Sequence, residues 1–86
     1  MKLYLLYTKD TPADRDIAYL QRRLAERQLT PELLDADSRA GITLAGLYDV
    51  TARPALVVAD SDGRLIQKWQ GALPGLEELN LYYTAG

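Results

Sequence analysis

The chain of 86 residues contains no cysteine, no histidine and no phenylalanine. Without cysteine it has no disulfide, no thiolate metal ligand and no nucleophilic thiol. Without histidine it also lacks the commonest general base and the commonest metal ligand. Structural zinc sites and catalysis of the Ser-His or Cys-His kind are thereby excluded. The two signs of charge nearly balance. Ten Lys and Arg against twelve Asp and Glu leave a net charge of −2, too mild to act at long range on a partner. Nucleic acid, which calls for a basic surface patch, is not an expected partner. The one basic cluster, Arg22, Arg23 and Arg27, alternates with acidic residues and reads as a solvated helix face. No apolar run approaches the ~20 residues that cross a bilayer, so membrane association is not expected. The opening run has no basic segment ahead of it and no cleavage site, and a cytoplasmic location is the expectation. No motif calls for a cofactor.

An apolar share of 48% and a charged share of 26% describe a chain that folds around a core. Its length suits a single domain over residues 1–86. A chain of this size buries only about 60% of its unfolded surface, so its stability margin is thin. The aromatic content rests on six Tyr and Trp69, which together with Tyr82 and Tyr83 read as filling for the core and its rim.

Residues 2–8 form a nearly continuous apolar and aromatic run, the pattern of a strand buried on both faces. Thr11 reads as a helix cap, with Pro12 at the first helical position and Asp14 completing an approximate capping box. Ile17, Leu20, Leu24 and Gln28 continue at helical spacing, which predicts a helix over 12–28. Residues 31–36 predict a short second strand. Ser38 caps a second helix over 39–48 with Ile42, Ala45 and Tyr48 on one side. Gly41 and Gly46 each weaken that helix by about 1 kcal/mol relative to alanine. Residues 55–59 predict a third strand, Asp60-Ser61-Asp62-Gly63 a turn, and residues 64–70 a fourth strand with Leu65, Gln67 and Trp69 alternating against Ile66 and Lys68. Asp60 and Asp62 share spacing with a calcium loop, but the remaining ligands are missing. A terminal helix follows Pro74 and runs to Tyr83. The order β-α-β-α-β-β-α predicts a parallel first pair, a late antiparallel hairpin and a mixed four-stranded sheet with helices on both faces.

This order, together with several local segments, resembles the thioredoxin and glutaredoxin superfamily over essentially the whole chain. The fold class it implies is α/β, a three-layer α/β/α sandwich. Lys2 to Leu24 is similar to a glutaredoxin opening, in which a strand leads into Cys-Pro-x-Cys at a helix N-terminus. Thr11-Pro12-Ala13-Asp14 stands at the place of that motif. Residues 48–58 are similar to the stretch that carries the family's cis-proline, and the resemblance gives that role to Pro54. Residues 71–73 resemble the loop before the last helix. Dithiol exchange is impossible here, because the helix dipole that activates a thiol cannot bring a threonine hydroxyl near neutrality.

Two readings of the vacated position stand side by side. In one, Thr11 and Asp14 satisfy the helix end as caps. In the other, Thr11, Pro12, Asp14, Arg53 and Pro54 form a groove for a peptide or protein segment. Arg53, placed where the family offers its backbone to an extended substrate, supplies a cation for a carboxylate. A glutathione-binding or glutathione-transferase-like enzyme is the alternative, with Tyr4, Tyr7 or a threonine hydroxyl acting on glutathione. Against it, Gln67-Lys68-Trp69 stands where those enzymes carry the acidic residue and serine that grip glutathione.

Overall fold

Leu3, Leu5 and Leu6 make a strand-forming run that can be buried on both faces only inside a sheet. In the computed structural model, which describes residues 2–9 and 11–80, this run lies between two partner strands. β1 (Lys2–Tyr7) pairs in parallel with β2 (Glu32–Asp35) and antiparallel with β3 (Ala55–Ala59). β3 pairs antiparallel with β4 (Leu65–Gln70), and the sheet order is β2-β1-β3-β4. Helices α1 (Asp14–Ala25), α2 (Arg39–Tyr48) and α3 (Leu76–Asn80) complete the element order that the sequence predicts. The expected continuation of α3 to Tyr83 falls on positions 81–86, outside the described residues.

Side chains of the central strands alternate between the two faces of the sheet. Leu3, Leu5, Leu56 and Val58 pack with Ile17, Leu20 and Leu24 of α1 and Leu79 of α3. Leu6, Ala55, Val57 and Ala59 pack instead with Ala36 and with Tyr48 at the end of α2. One layer therefore holds α1 and α3, and the other holds α2.

α1 is shorter than its periodicity predicts. Gln28 does not continue the apolar stripe; it takes the left-handed conformation at φ 61°. There it closes the helix with two hydrogen bonds, from the Gln28 N–H to the Ala25 carbonyl and from the Leu29 N–H to the Leu24 carbonyl, both 2.9 Å. A side chain costs roughly 1 kcal/mol in that conformation, so Gln28→Gly is expected to stabilise the protein by about 0.5 kcal/mol. A rise in the urea midpoint would register it.

α2 is capped by Ser38, whose hydroxyl accepts from the Gly41 N–H at 3.0 Å and donates to the Asp35 carbonyl at 2.6 Å. Its inward stripe is Gly41, Leu44, Ala45 and Tyr48 rather than the stripe through Ile42, which is 60% exposed. The tertiary contact selects the small residues here, because the first turn of α2 passes against the backbone of Asp35 and Ala36.

The β3–β4 turn is organised by Asp60, whose carboxylate accepts the N–H groups of Asp62 and Arg64, both at 2.9 Å. Gly63 supplies the positive φ of 87°. One extra residue then enters β4, since Val58 opposes Gln67 while Ala59 opposes Leu65. This bulge breaks the expected alternation. Gln67 and Trp69 oppose Val58 and Leu56 of the α1 face, whereas Leu65 opposes Ala59 of the α2 face.

Tyr48 is buried, stacks on Tyr4 with ring centroids 6.3 Å apart, and donates its hydroxyl to the Gly63 carbonyl at 2.6 Å. Burial, then the nearby Tyr4 and Asp60, raise its pKa above 10.0. In the unfolded chain Tyr48 ionises first, so its contribution is intact below pH 10 and is lost as pH climbs toward the raised folded value. Tyr48→Phe is expected to cost about 1 kcal/mol at neutral pH and to flatten this alkaline decline. Urea unfolding at pH 7 and above pH 10 measures both effects.

Candidate functional site

The segment that joins α2 to β3 is held from two directions. Lys68 of β4 donates its ammonium group to the carbonyls of Tyr48 at 3.0 Å and Asp49 at 2.6 Å, closing the carboxyl end of α2 where a cation is favoured. Gln70, at the end of β4, accepts the N–H groups of Thr51 at 2.7 Å and Ala52 at 3.2 Å on its side-chain oxygen. The Gly71 N–H donates to the Pro54 carbonyl at 2.9 Å, extending the β3–β4 ladder. The Arg53–Pro54 peptide bond in this clamped segment is cis.

The opening of α1 differs from the expected capping box. The Thr11 hydroxyl donates to the Thr8 carbonyl at 3.2 Å rather than accepting from the helix. The Asp14 N–H closes a turn onto the Thr11 carbonyl at 3.0 Å, and Pro12 lies within that turn. α1 then starts at Asp14, with Ala13 in the cap position and no side-chain cap. The physical reason is local: the tight 11–14 turn commits the Thr11 hydroxyl to the residue behind it. Asp14 and Asp16 in the first turn still complement the helix dipole.

These two segments meet. Thr8, Thr11, Pro12, Ala13, Arg53 and Pro54 line one cleft of about 300 Å³. Four of the five residues singled out in the sequence are thus together. The fifth, Asp14, is exposed and lines neither this cleft nor the larger one beside it, because the turn places the first helical residue beyond them. The larger cleft, about 530 Å³, shares Pro12, Ala13 and Pro54 and continues along Tyr19, Leu20 and Leu73. Arg53 is half exposed; its Nη1 lies 3.1 Å from Oδ1 of Asp37 and 3.5 Å from the Thr8 hydroxyl. Sequence reasoning missed Thr8, Asp37 and Gln70. No local pattern marks them, since their partners lie 45, 16 and 19 residues away in the chain.

The other sequence candidates fall elsewhere. Tyr4 packs on the α2 face, while Tyr7 packs against the α1-face core. The Asp60 carboxylate is engaged by the turn that it organises. Trp69 is partly buried on the α1 face and donates its indole N–H to Glu78 of α3 at 3.0 Å. Among the described residues no helix is long and apolar enough to cross a membrane. The groups that line the small cleft are the Arg53 guanidinium, the hydroxyls of Thr8 and Thr11, and the apolar surfaces of Pro12, Ala13 and Pro54, an arrangement in which Arg53 offers hydrogen bonds to an acceptor.

A mixed sheet in the order β2-β1-β3-β4, with α1 and α3 on one face and α2 on the other, defines a thioredoxin-like α/β fold, here without any cysteine. One solved structure that shares it is a solution structure described as a "putative disulphide-isomerase from Bacteroides thetaiotaomicron". The two superpose with a TM-score of 0.69 at 18% identity, covering 98% of this chain and 77% of the other. The likeness is one of fold. No protein-family model matches the chain, and no curated protein matches it in sequence.

Proposed function

We propose that this protein is a non-redox binding module that holds an extended peptide or protein segment in the groove between the start of α1 and Pro54. The observation that carries this reading is the convergence of Thr8, Thr11 and Pro12 with Arg53 and Pro54 in one cleft, continuous with a larger, mainly apolar one. The backbone N–H and C=O of Arg53 take no partner among the described residues. They are available to pair with an extended chain, as a sheet edge does. The clamp from Gln70 holds that backbone in place before any guest arrives, which reduces the ordering cost of binding.

Titration of labelled protein with short extended peptides, followed by amide chemical shifts, tests this. Shifts at Thr11, Arg53 and Ala55 are expected, with little change on the α2 face. A map confined to other surfaces, or no change at millimolar peptide, would remove the proposal.

A further inference from the structure

We infer that Asp37 is an internal stand-in for a carboxylate of the guest, so that the groove selects carboxylate-bearing segments by exchanging them for Asp37 on Arg53. This rests on the groove reading above and adds the chemical class that the groove takes.

Arg53 is the only charged residue lining the small cleft among the described residues. Its guanidinium reaches Asp37 through a single nitrogen and a single oxygen at 3.1 Å, and the side chains are 49% and 68% exposed. An exposed pair of this kind is weakly held, and a guanidinium engaged at one edge can still take a two-point contact from an arriving carboxylate. The Asp37 carboxylate makes no other hydrogen bond or ion pair among the described residues, so it is free to leave. Its position, between β2 and the Ser38 cap of α2, is set by backbone bonds from the Asp37 N–H to Oδ1 of Asp35 and from the Ser38 N–H to the Asp35 carbonyl. Displacing the side chain therefore leaves the loop intact.

The neighbouring charges give the guest a direction. Asp16 and Arg23 line the larger cleft, and Arg23 pairs with Glu26 at 3.2 Å through one contact, as Arg53 does with Asp37. No acidic residue lines the small cleft among the described residues, whereas the larger cleft also carries the Asp16 carboxylate. A carboxylate placed there would face Asp16. The favourable arrangement puts the carboxylate at Arg53 and the preceding apolar residues along Leu20, Leu73 and Pro74. This is the layout of a chain end, with a free carboxylate following apolar residues.

The experiment uses three probes: acetyl-Ala-Val-Ala-Leu as the free acid, the same peptide as the amide, and acetyl-Ala-Val-Asp-Leu amide. Each is titrated into the native protein, Asp37→Asn, Arg53→Gln and the double variant, with well-dispersed amide spectra confirming that each is folded. The free acid is expected to bind about tenfold more tightly than its amide, with the preference lost in Arg53→Gln. Asp37→Asn is expected to raise affinity for the acid about fivefold and to leave the amide unchanged. If the Asp-bearing amide matches the free acid, the groove takes a carboxylate from a side chain as well as from a chain end; if it matches the plain amide, chain ends alone are selected. Equal binding of acid and amide at the groove overturns the carboxylate inference and leaves the groove reading standing. Unchanged or weakened acid binding in Asp37→Asn overturns the exchange with Asp37. Absence of shifts at the groove with every probe overturns both.

Discussion

Gly41→Ala is expected to destabilise the protein by about 3 kcal/mol, although alanine is the better helix former. A Cβ at this position would collide with the carbonyl oxygen of Asp35 and come within 3.0 Å of the Ala36 Cα. Both obstacles are backbone, so relief requires moving the first turn of α2 away from the end of β2. That movement would also strain the Ser38 cap, whose hydroxyl accepts the Gly41 N–H. Gly46 provides the contrast within the same helix. It is exposed, nothing lies within 4 Å of a Cβ there, and Gly46→Ala is expected to stabilise by up to about 1 kcal/mol. Chemical denaturation of the two variants should shift the midpoint in opposite directions. Equal shifts would mean that helix propensity, not packing, governs both sites.

The second large effect is expected at Leu56. This side chain is fully buried on β3, opposite Leu5 on one neighbouring strand and Trp69 on the other. It lies in the cluster beneath α1, where the sheet is covered by Ile17, Leu20 and Leu24. Leu56→Ala removes apolar contact and leaves a cavity that strands paired on both sides cannot close, at a cost of about 4 kcal/mol. A chain of 86 residues holds a total margin of roughly 4–13 kcal/mol, so this variant should approach its unfolding midpoint in water. The single tryptophan, partly buried beside the lesion, makes fluorescence a direct reading of the transition. A loss below 1 kcal/mol would show that the core relaxes around the gap.

The element order and the two-faced core were legible because local chemistry and tertiary packing agree there. The run at Leu3, Leu5 and Leu6 is too apolar for an edge, and it lies between β2 and β3. Ile17, Leu20 and Leu24 have one apolar face and bury it. The departures occur where a specific contact outweighs the preference that the pattern suggests, whether the partner is three residues away or on another element. Thr11 has the chemistry of a cap but bonds backward to Thr8 in the turn that precedes α1. Ile42 has the spacing of a core residue but faces outward, since only Gly41 can approach the Asp35 backbone. Leu65 loses its expected alternation to the one-residue bulge opposite Val58 and Ala59.

The candidate site divides along the same line. The sequence by itself determined that thiol chemistry is impossible, because no fold can supply a cysteine that the chain lacks. The resemblance read from it put five residues, Thr11, Pro12, Asp14, Arg53 and Pro54, in one place, and the structure gathers four of them in one cleft and leaves Asp14 outside. Only the tertiary structure decided what Arg53 does there. Its partners Asp37 and Thr8 come from other segments of the chain, and an ion pair depends on the positions of its charges in space, not on their spacing in sequence.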